Sequence, residues 1–354
     1  MVIGDERKFS IPVYVNCAAS LLYLPAAQIH KMAERDAREK IKRYFAGGRD
    51  SISILIAGKM STGKSTLVNG IVGKPVAKEG NKAFTETTII VPYETTVEIP
   101  STILRKQIKV VVWDTPGLGD PFGDDEATAE EIAEKCKETD LLVYCLDIRG
   151  RLAKDDATGI DLLSTTLQPQ MWKNAIFALT FANEVPDQAT LTEKIQSWEE
   201  AIKRLMKKKL KIPHDIADDI SIVPTGYRRH QPPGCEDWFS PFWAASFIKT
   251  KRSAQPSLLG INAGRLLEES KDQEGATPAE EAYQMPIRFS SSDILTMRTA
   301  ATTTGSAGVG ALIGLIAGAV GGPITMPVGA AVGAAAGSGI GFVTRVIVKS
   351  VYDW

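Results

Sequence analysis

The sequence predicts an α/β protein in which a doubly wound, mostly parallel sheet is followed by a glycine-rich α-helical hairpin. Three observations support this fold class. Short apolar runs alternate with amphipathic stretches over residues 51–250, a glycine-rich loop follows the first run, and a long uncharged segment lies near the C-terminus. We therefore divide the chain into an N-terminal leader (1–50), an α/β domain (51–250), a linker (251–290) and a glycine-rich module with a short tail (291–354).

Five apolar runs are the predicted strands of the sheet. They are short, nearly continuous and partly β-branched, which is typical of parallel strands that are buried on both faces. The runs are Ile52–Ala57, Ile108–Trp113, Leu141–Leu146, Ala175–Thr180 and Ile220–Val223. Because helical patterns separate them, we expect helices on both faces of one sheet. The stretch Thr87–Ile99 is expected to form an antiparallel edge strand.

Composition and charge narrow the class of protein. The 354 residues carry 41 Lys and Arg against 42 Asp and Glu, so the net charge is −1. A nucleic-acid-binding protein should have a basic excess, and none is present. The four cysteines lie far apart without a C-x-x-C pair. This spacing argues against a disulfide scaffold and a structural zinc site, and it fits a reducing compartment.

The leader and the linker carry weaker patterns. From Pro25 to Phe45 apolar residues recur at three- and four-residue spacing, which predicts a helix. A signal peptide is disfavoured because Asp5 and Glu6 precede the uncharged run of the leader. Residues 251–290 are rich in Ser, Pro, Gly and charge, so we expect little regular structure there.

The loop after the first predicted strand reads G-x-x-x-x-G-K-S in full. Its glycines allow successive backbone N–H groups to point at phosphate oxygens. Lys64 supplies a cation for the β- and γ-phosphates, and the Ser65 hydroxyl is placed to coordinate Mg²⁺. The helix that follows adds its positive N-terminal end. The predicted phosphate-binding residues are Gly58, Lys59, Met60, Ser61, Thr62, Gly63, Lys64, Ser65 and Thr66.

A second motif, Asp114–Gly117, follows a strand about fifty residues later. An aspartate at this place can hold the Mg²⁺ shell, and Gly117 gives the backbone access to the γ-phosphate. Between the two motifs, one threonine should reach Mg²⁺ and sense the γ-phosphate. Thr85 is our first choice and Thr87 the second. The predicted catalytic residues are Lys64 and Thr85, and the predicted metal ligands are Ser65, Thr85 and Asp114.

The order of these motifs resembles a known group of proteins. After Asp114–Gly117 come Asp140–Tyr144 and then Met171–Asn174, just before Leu179 and Thr180. Over about residues 51–230 the chain resembles the septin-related paraseptin GTPases, which include the immunity-associated GIMAP proteins and the chloroplast-envelope Toc GTPases. The resemblance implies a P-loop GTPase fold that binds GTP and GDP with Mg²⁺, hydrolyses GTP slowly and dimerises across the nucleotide face.

The base-reading motif departs from the usual GTPase pattern, N/T-K-x-D. Phe181 replaces the lysine and could stack on the base, and Asn183 stands where the guanine-binding aspartate is expected. Glu184 is the nearest carboxylate, although Asn183 and Glu184 could also form only a capping turn. Downstream, Thr225 and Gly226 occupy the loop that usually closes over the base, and a plain turn is an equal alternative there.

Hydrolysis is expected to be slow. Leu118 follows Gly117 where Ras-type enzymes have a glutamine that orients the attacking water. We therefore predict a low intrinsic turnover that rises when the protein self-associates.

The module near the C-terminus has no charge from Thr299 to Thr344 and holds 12 of the 30 glycines. Each interior glycine costs a helix up to about 1 kcal/mol relative to alanine, so close packing must offset the loss. Small residues at four-residue spacing allow such packing in membranes. We predict a membrane hairpin over 299–344; a soluble hairpin packed within an oligomer and a flexible linker are the alternatives. The glycines at this spacing are Gly310, Gly314, Gly318, Gly322, Gly329, Gly333, Gly337 and Gly341.

Together these patterns predict a GTP-binding switch with slow, self-association-dependent hydrolysis. Its partners would be guanine nucleotide, a second copy of the chain through the nucleotide face, and a membrane through 299–344, with no nucleic acid. It would act at the cytoplasmic face of a membrane or be recruited there from the cytosol. The alternatives are a GTP-binding scaffold without useful turnover, a nucleotide-gated membrane-perturbing effector and, because of Asn183, an ATPase.

Overall fold

The computed structural model describes residues 46–80, 89–99, 106–119 and 124–268, together with single positions at 39, 43, 87, 283, 285 and 287; from 262 to 268 it describes the backbone only. Three predictions therefore lie outside the described residues. They are the role of Thr85, the glycine hairpin at 299–344, and most of the leader helix. Among the described residues, no helix combines the length and the apolar character needed to cross a membrane.

The described residues form one six-stranded sheet with the strand order β2-β3-β1-β4-β5-β6. All neighbouring strands run parallel except β2, which pairs antiparallel with β3 at the edge. The predicted strands are confirmed, although the edge strand begins at Val91 rather than Thr87, because Val91 already pairs with Asp114, the last residue of β3. The strands are β1 Ser51–Gly58, β2 Val91–Ile99, β3 Lys106–Asp114, β4 Leu141–Asp147, β5 Ala175–Thr180 and β6 Ser221–Pro224.

Helices cover both faces of the sheet, as predicted for a doubly wound fold. Alternate side chains of β1 show this directly, since Ile54 and Ile56 belong to one buried apolar cluster, whereas Leu55 and Ala57 belong to the other. The described helices are α1 Lys64–Val72, α2 Asp125–Lys135, α3 Lys154–Leu167, α4 Gln188–Arg204, α5 His214–Asp218, α6 Phe239–Lys249 and α7 Gln255–Glu268.

The linker prediction is wrong for part of its length. Residues 255–268 form α7, which packs against β2, and Leu258 and Leu259 are buried in the same apolar cluster as β1. Further along, Met285 and Ile287 are buried in that cluster too. The polar composition of the segment as a whole concealed these apolar residues, and Pro256 suits the first turn of a helix. The C-terminal part of the linker therefore returns to the α/β domain.

Candidate nucleotide-binding site

A cavity of about 560 Å³ lies at the carboxyl ends of β1, β5 and β6. Its wall is built by the glycine-rich loop after β1, by Thr115 and Gly117 after β3, and by the loops that follow β5 and β6. Ligands of open α/β sheets bind at this edge, outside the carboxyl ends of the strands. The fold therefore brings the predicted phosphate-binding and base-reading segments into one pocket.

The phosphate loop needs its glycines for conformation and for space. Gly58 has φ 143°, and a Cβ there would lie 2.4 Å from the carbonyl oxygen of Cys145. Gly63 has φ 76° and immediately precedes α1. Both positions require backbone geometry that a side chain would disturb. The loop consequently curls tightly and directs the N-terminus of α1 at the cavity, as anion binding requires.

Lys64 is almost fully buried, with 7% of its surface exposed. Its Nζ donates a hydrogen bond to the carbonyl oxygen of Lys59 at 2.7 Å, within the loop itself. Burial lowers the pKa of Lys64, and the nearby Asp114 carboxylate partly opposes that change. The ammonium group is thus held at the loop, beside the place where phosphates would bind.

Two hydroxyl groups converge on the Asp114 carboxylate. Ser65 Oγ donates to Asp114 Oδ2 at 2.8 Å, and Thr87 Oγ1 lies 3.4 Å from the same oxygen. Asp114 Oδ1 is buried and has no hydrogen-bond partner. Burial raises the pKa of Asp114, and the hydrogen bond from Ser65 and the charge of Lys64 partly offset this rise. A buried carboxylate oxygen left unpaired beside two hydroxyls fits a cation ligand.

This group of side chains fits magnesium better than a metal held by protein ligands alone. The described part of the chain contains no cluster of three or more His, Cys, Asp or Glu side chains suited to a metal. Mg²⁺ typically binds one or two protein groups and takes its other ligands from phosphate and water. Ser65 and Asp114 provide such a partial site. Thr87, our second choice for the switch threonine, contacts both of them, at 3.5 and 3.4 Å.

The Asp114–Gly117 motif packs directly on the phosphate loop. Leu118 N donates to the carbonyl oxygen of Gly58 at 3.1 Å, which extends the pairing of the two segments. A Cβ on Gly117 would lie 2.5 Å from the backbone of Met60, so only glycine fits. Leu118 itself is completely buried in the core. Its side chain is apolar and lies in the core, so it offers no hydrogen-bonding group that could orient a water molecule in the cavity.

The base end of the cavity is the part lined by the loops after β5 and β6. There Phe181 has a left-handed backbone with φ 59°. The Arg149 guanidinium carbon lies 3.9 Å from the centroid of the Phe181 ring. Arg149 also binds Glu184 at 2.8 Å and forms an ion pair with Asp147. The Glu184 carboxylate is therefore already engaged. Asn183 Oδ1 is instead buried without a hydrogen-bond partner. Ala182–Glu184 form a short 3₁₀ helix whose N-terminus has no side-chain cap, so the alternative of a capping turn is not what these side chains form.

Thr225 and Gly226 shape the second base-end loop. Thr225 is buried, its N–H donates to Leu179 O at 2.8 Å, and its carbonyl oxygen accepts from Ala182 N at 3.2 Å. A Cβ on Gly226 would lie 2.1 Å from the carbonyl oxygen of His230, so the turn requires glycine. The hydrogen bonds of Thr225 thus join the loop after β6 to the loop after β5, and Tyr227 and Arg228, which follow Gly226, line the cavity.

Several cavity residues carried no motif. Tyr227 and Arg228 line the cavity directly after Gly226. Their position next to the predicted base-closing loop is the sequence feature that could have identified them. Glu79, Tyr283 and Met285 also line the cavity. The last two come from the supposed linker, and no local pattern connects them to a site that begins more than two hundred residues earlier.

Sequence comparison finds relatives for the α/β domain. Residues 52–211, under half of the chain, match the model of the AIG1 family. The chloroplastic translocase of chloroplast 34 homolog of Chlamydomonas reinhardtii is 31% identical over 171 residues, covering 46% of this chain and 42% of that protein. Translocase of chloroplast 159 of Arabidopsis thaliana is 30% identical over 191 residues, covering 48% of this chain and 12% of the relative. The chain thus matches less than half the length of either relative.

Among solved structures, Toc33 from Arabidopsis thaliana in complex with Mg²⁺ and GMPPNP matches at 17% identity and a TM-score of 0.45, covering 62% of this chain and 92% of that chain. A structure of the chloroplast translocon components atToc33 and psToc159 gives 17% identity and a TM-score of 0.49, covering 62% and 90%. The predicted resemblance to Toc GTPases is confirmed by the sequence relatives. Residues 52–211 are therefore similar to the P-loop GTPase domain of the AIG1 family and the Toc proteins.

Proposed function

We propose that this protein is a GTP-binding switch of the paraseptin type that hydrolyses GTP slowly. The observation that carries the proposal is the unpartnered, buried Oδ1 of Asp114, which lies next to the Ser65 hydroxyl and close to the buried ammonium of Lys64. This combination of a carboxylate, a hydroxyl and a cation at a glycine-rich loop suits a nucleoside triphosphate with Mg²⁺. The AIG1 match over 52–211 supports the same assignment.

In this proposal each part of the cavity has a defined role. The backbone N–H groups of residues 58–66 and the Lys64 ammonium bind the phosphates. Ser65 and Asp114 hold Mg²⁺, with Thr85 or Thr87 completing the site from the switch segment. The ion would neutralise charge on the β- and γ-phosphates. Phe181, whose one face is covered by Arg149, would offer its other face to the base.

Slow hydrolysis is expected because Leu118, at the position where Ras-type enzymes have a glutamine, is an apolar, buried side chain with no group that could orient the attacking water. A second copy of the chain, docked on the nucleotide face, would help to position the attacking water. We expect GTP turnover per molecule to rise with protein concentration. Phosphate release measured across a wide range of concentrations tests this, with Lys64→Ala as the background. A turnover that stays constant contradicts self-association. No hydrolysis in a single turnover at high concentration would instead support the scaffold.

The second part of the proposal is action at the cytoplasmic face of a membrane through 299–344, which rests on the uncharged, glycine-striped sequence. Liposome flotation of the full chain and of a chain ended at Arg298 tests it, each with GDP and with a non-hydrolysable GTP analogue. We expect the full chain to float and the shortened chain to stay with the soluble fraction. A full chain that stays soluble with both nucleotides would refute the membrane role.

A further inference from the structure

The base end of the cavity holds two buried polar atoms that have no hydrogen-bond partner. One is an acceptor, Asn183 Oδ1, and the other is a donor, Arg228 Nε. Both residues line the same cavity. Buried polar atoms in folded proteins are nearly always hydrogen-bonded. An unpaired acceptor and an unpaired donor in one pocket therefore point to a ligand that presents the complementary pair.

The Arg228 side chain is held from several sides. Its Nη2 donates to the Tyr283 hydroxyl at 2.7 Å and lies 3.6 Å from a Glu79 carboxylate oxygen. Its guanidinium carbon lies 4.8 Å from the ring centroids of both Tyr227 and Tyr283. These contacts occupy the Nη end of the guanidinium. The Nε atom is buried and has no hydrogen-bond partner.

The backbone of Arg228 is also held in an unusual conformation. Its φ is 54°, and its carbonyl oxygen accepts a hydrogen bond from Trp238 Nε1 at 2.9 Å. Ser61 and Phe181, at φ 61° and 59°, have the same left-handed geometry and line the same cavity. Strained backbone of this kind clusters at ligand sites, where the surrounding structure maintains it. The direction of the Arg228 side chain is thus set by the fold.

The two orphan atoms match one class of purine. A 6-oxopurine presents an N1–H donor next to the O6 acceptor, whereas adenine presents an N1 acceptor next to the N6 amino donor. One acceptor and one donor complement the first pattern when Asn183 Oδ1 lies at N1 and Arg228 Nε lies at the 6-position, and in that arrangement adenine presents the reverse order. Asn183 offers one neutral carbonyl oxygen and no carboxylate, so it lacks the second anionic oxygen with which an aspartate would bind the 2-amino group of guanine.

We propose that Asn183 and Arg228 read the 6-oxo edge of the purine and not the 2-amino group, so that the site accepts 6-oxopurine nucleotides as a class. This inference rests on the proposed nucleotide-binding function and specifies its substrate range. GTP and ITP bind about equally, and ATP binds poorly, because adenine leaves both buried atoms unpaired. Tyr283 is a positioning residue in this arrangement. It joins Arg228 to Glu79 through hydrogen bonds on both sides of its hydroxyl.

Competition binding to the full chain tests the inference. A fluorescent GTP analogue, bound in the presence of Mg²⁺, is displaced by GTP, ITP and ATP. We expect the ITP affinity to be within about threefold of the GTP affinity, and the ATP affinity to be about a hundredfold or more lower. If GTP itself does not bind, the proposed function fails. If GTP binds and ITP is more than about tenfold weaker, or if ATP binds as well as GTP, the inference is overturned while the nucleotide site stands.

Three variants test the residues one by one. Asn183→Asp should raise the GTP-to-ITP preference about tenfold, because a carboxylate can also accept from the 2-amino group. Arg228→Gln should reduce the preference of the site for GTP over ATP about tenfold. Tyr283→Phe should change that preference in the same direction by a smaller factor. A merely structural role of Tyr283 would weaken GTP and ATP equally and leave their ratio unchanged.

Arg229→Gln is the matched control, since this neighbouring arginine is exposed and does not line the cavity. Its GTP-to-ATP ratio should equal that of the wild type. Thermal melting of each variant shows whether it folds. If Arg228→Gln does not fold, the wild-type ITP measurement and Asn183→Asp still decide the question. A GTP-to-ITP ratio that Asn183→Asp leaves unchanged would contradict the assigned role of Asn183.

Discussion

Replacing Lys64 with alanine is expected to weaken GTP binding by about ten- to a hundredfold. The side chain is 7% exposed and its ammonium group sits at the phosphate loop, bonded to the Lys59 carbonyl. In the proposed complex this group bonds the β- and γ-phosphates, and a hydrogen bond to a charged group contributes about 1.5–3 kcal/mol. Fluorescence titration with a non-hydrolysable GTP analogue and Mg²⁺ measures the change.

Lys74→Ala is the matched control for this experiment. Lys74 lies just beyond the other end of α1, is exposed and does not line the cavity. Its removal should leave the affinity unchanged. Circular dichroism and thermal melting show whether the Lys64 variant keeps its fold. A folded Lys64→Ala protein that binds GTP like the control would contradict the assignment of the phosphate loop.

Replacing Asp114 with asparagine is expected to remove the effect of Mg²⁺ on nucleotide binding. The substitution keeps the shape of a side chain that is 1% exposed, and it removes the charge that would hold the ion. Wild-type protein should bind the GTP analogue much more tightly with Mg²⁺ than with EDTA, and the variant should bind it equally in both. Asp161→Asn, at an exposed carboxylate on α3, is the control and should behave like the wild type. A full Mg²⁺ effect in the Asp114 variant would rule out the assigned role.

The pH dependence provides an independent check on Asp114. Burial raises the pKa of this carboxyl above the ordinary aspartate value. Its protonation on acidification therefore begins at a higher pH than for an exposed aspartate, and the Mg²⁺ effect should weaken there. Above the raised pKa the effect of Mg²⁺ on nucleotide binding should be complete.

The stability of the ligand-free protein depends on pH in the opposite direction, because a raised pKa in the folded state makes the contribution of Asp114 to the unfolding free energy greatest at low pH. This contribution of Asp114 to the unfolding free energy is lost as the pH rises through the folded-state pKa of its carboxyl group.

The sheet and the phosphate loop could be predicted because their signals are local. Continuous apolar runs mark strands buried on both faces, and the loop glycines are required by backbone geometry, as Gly58 shows with φ 143°. The contact of Thr87 with Asp114 could not be predicted from the local sequence. Val91 pairs with Asp114, so the residues just before β2 approach that carboxylate, and Thr87 is among them. Strand register decides this contact, and the spacing of threonines does not reveal it.

The base end was harder to predict because long-range contacts build it. Arg149 follows β4 and stacks on Phe181, thirty-two positions later in the chain, through the parallel pairing of β4 and β5. Tyr283 reaches Glu79 across most of the domain, because Met285 and Ile287 anchor its segment in the core. Composition alone suggested a linker there. A polar stretch can still carry a few buried residues that return it to the domain.

Equilibrium titration of the full chain with a non-hydrolysable GTP analogue, with Mg²⁺ and with EDTA, tests the central claim most directly. We predict saturable binding at one site per chain that GTP and GDP displace, that ATP displaces poorly, and that EDTA weakens. The absence of saturable GTP binding in the presence of Mg²⁺ by a folded chain would contradict the account.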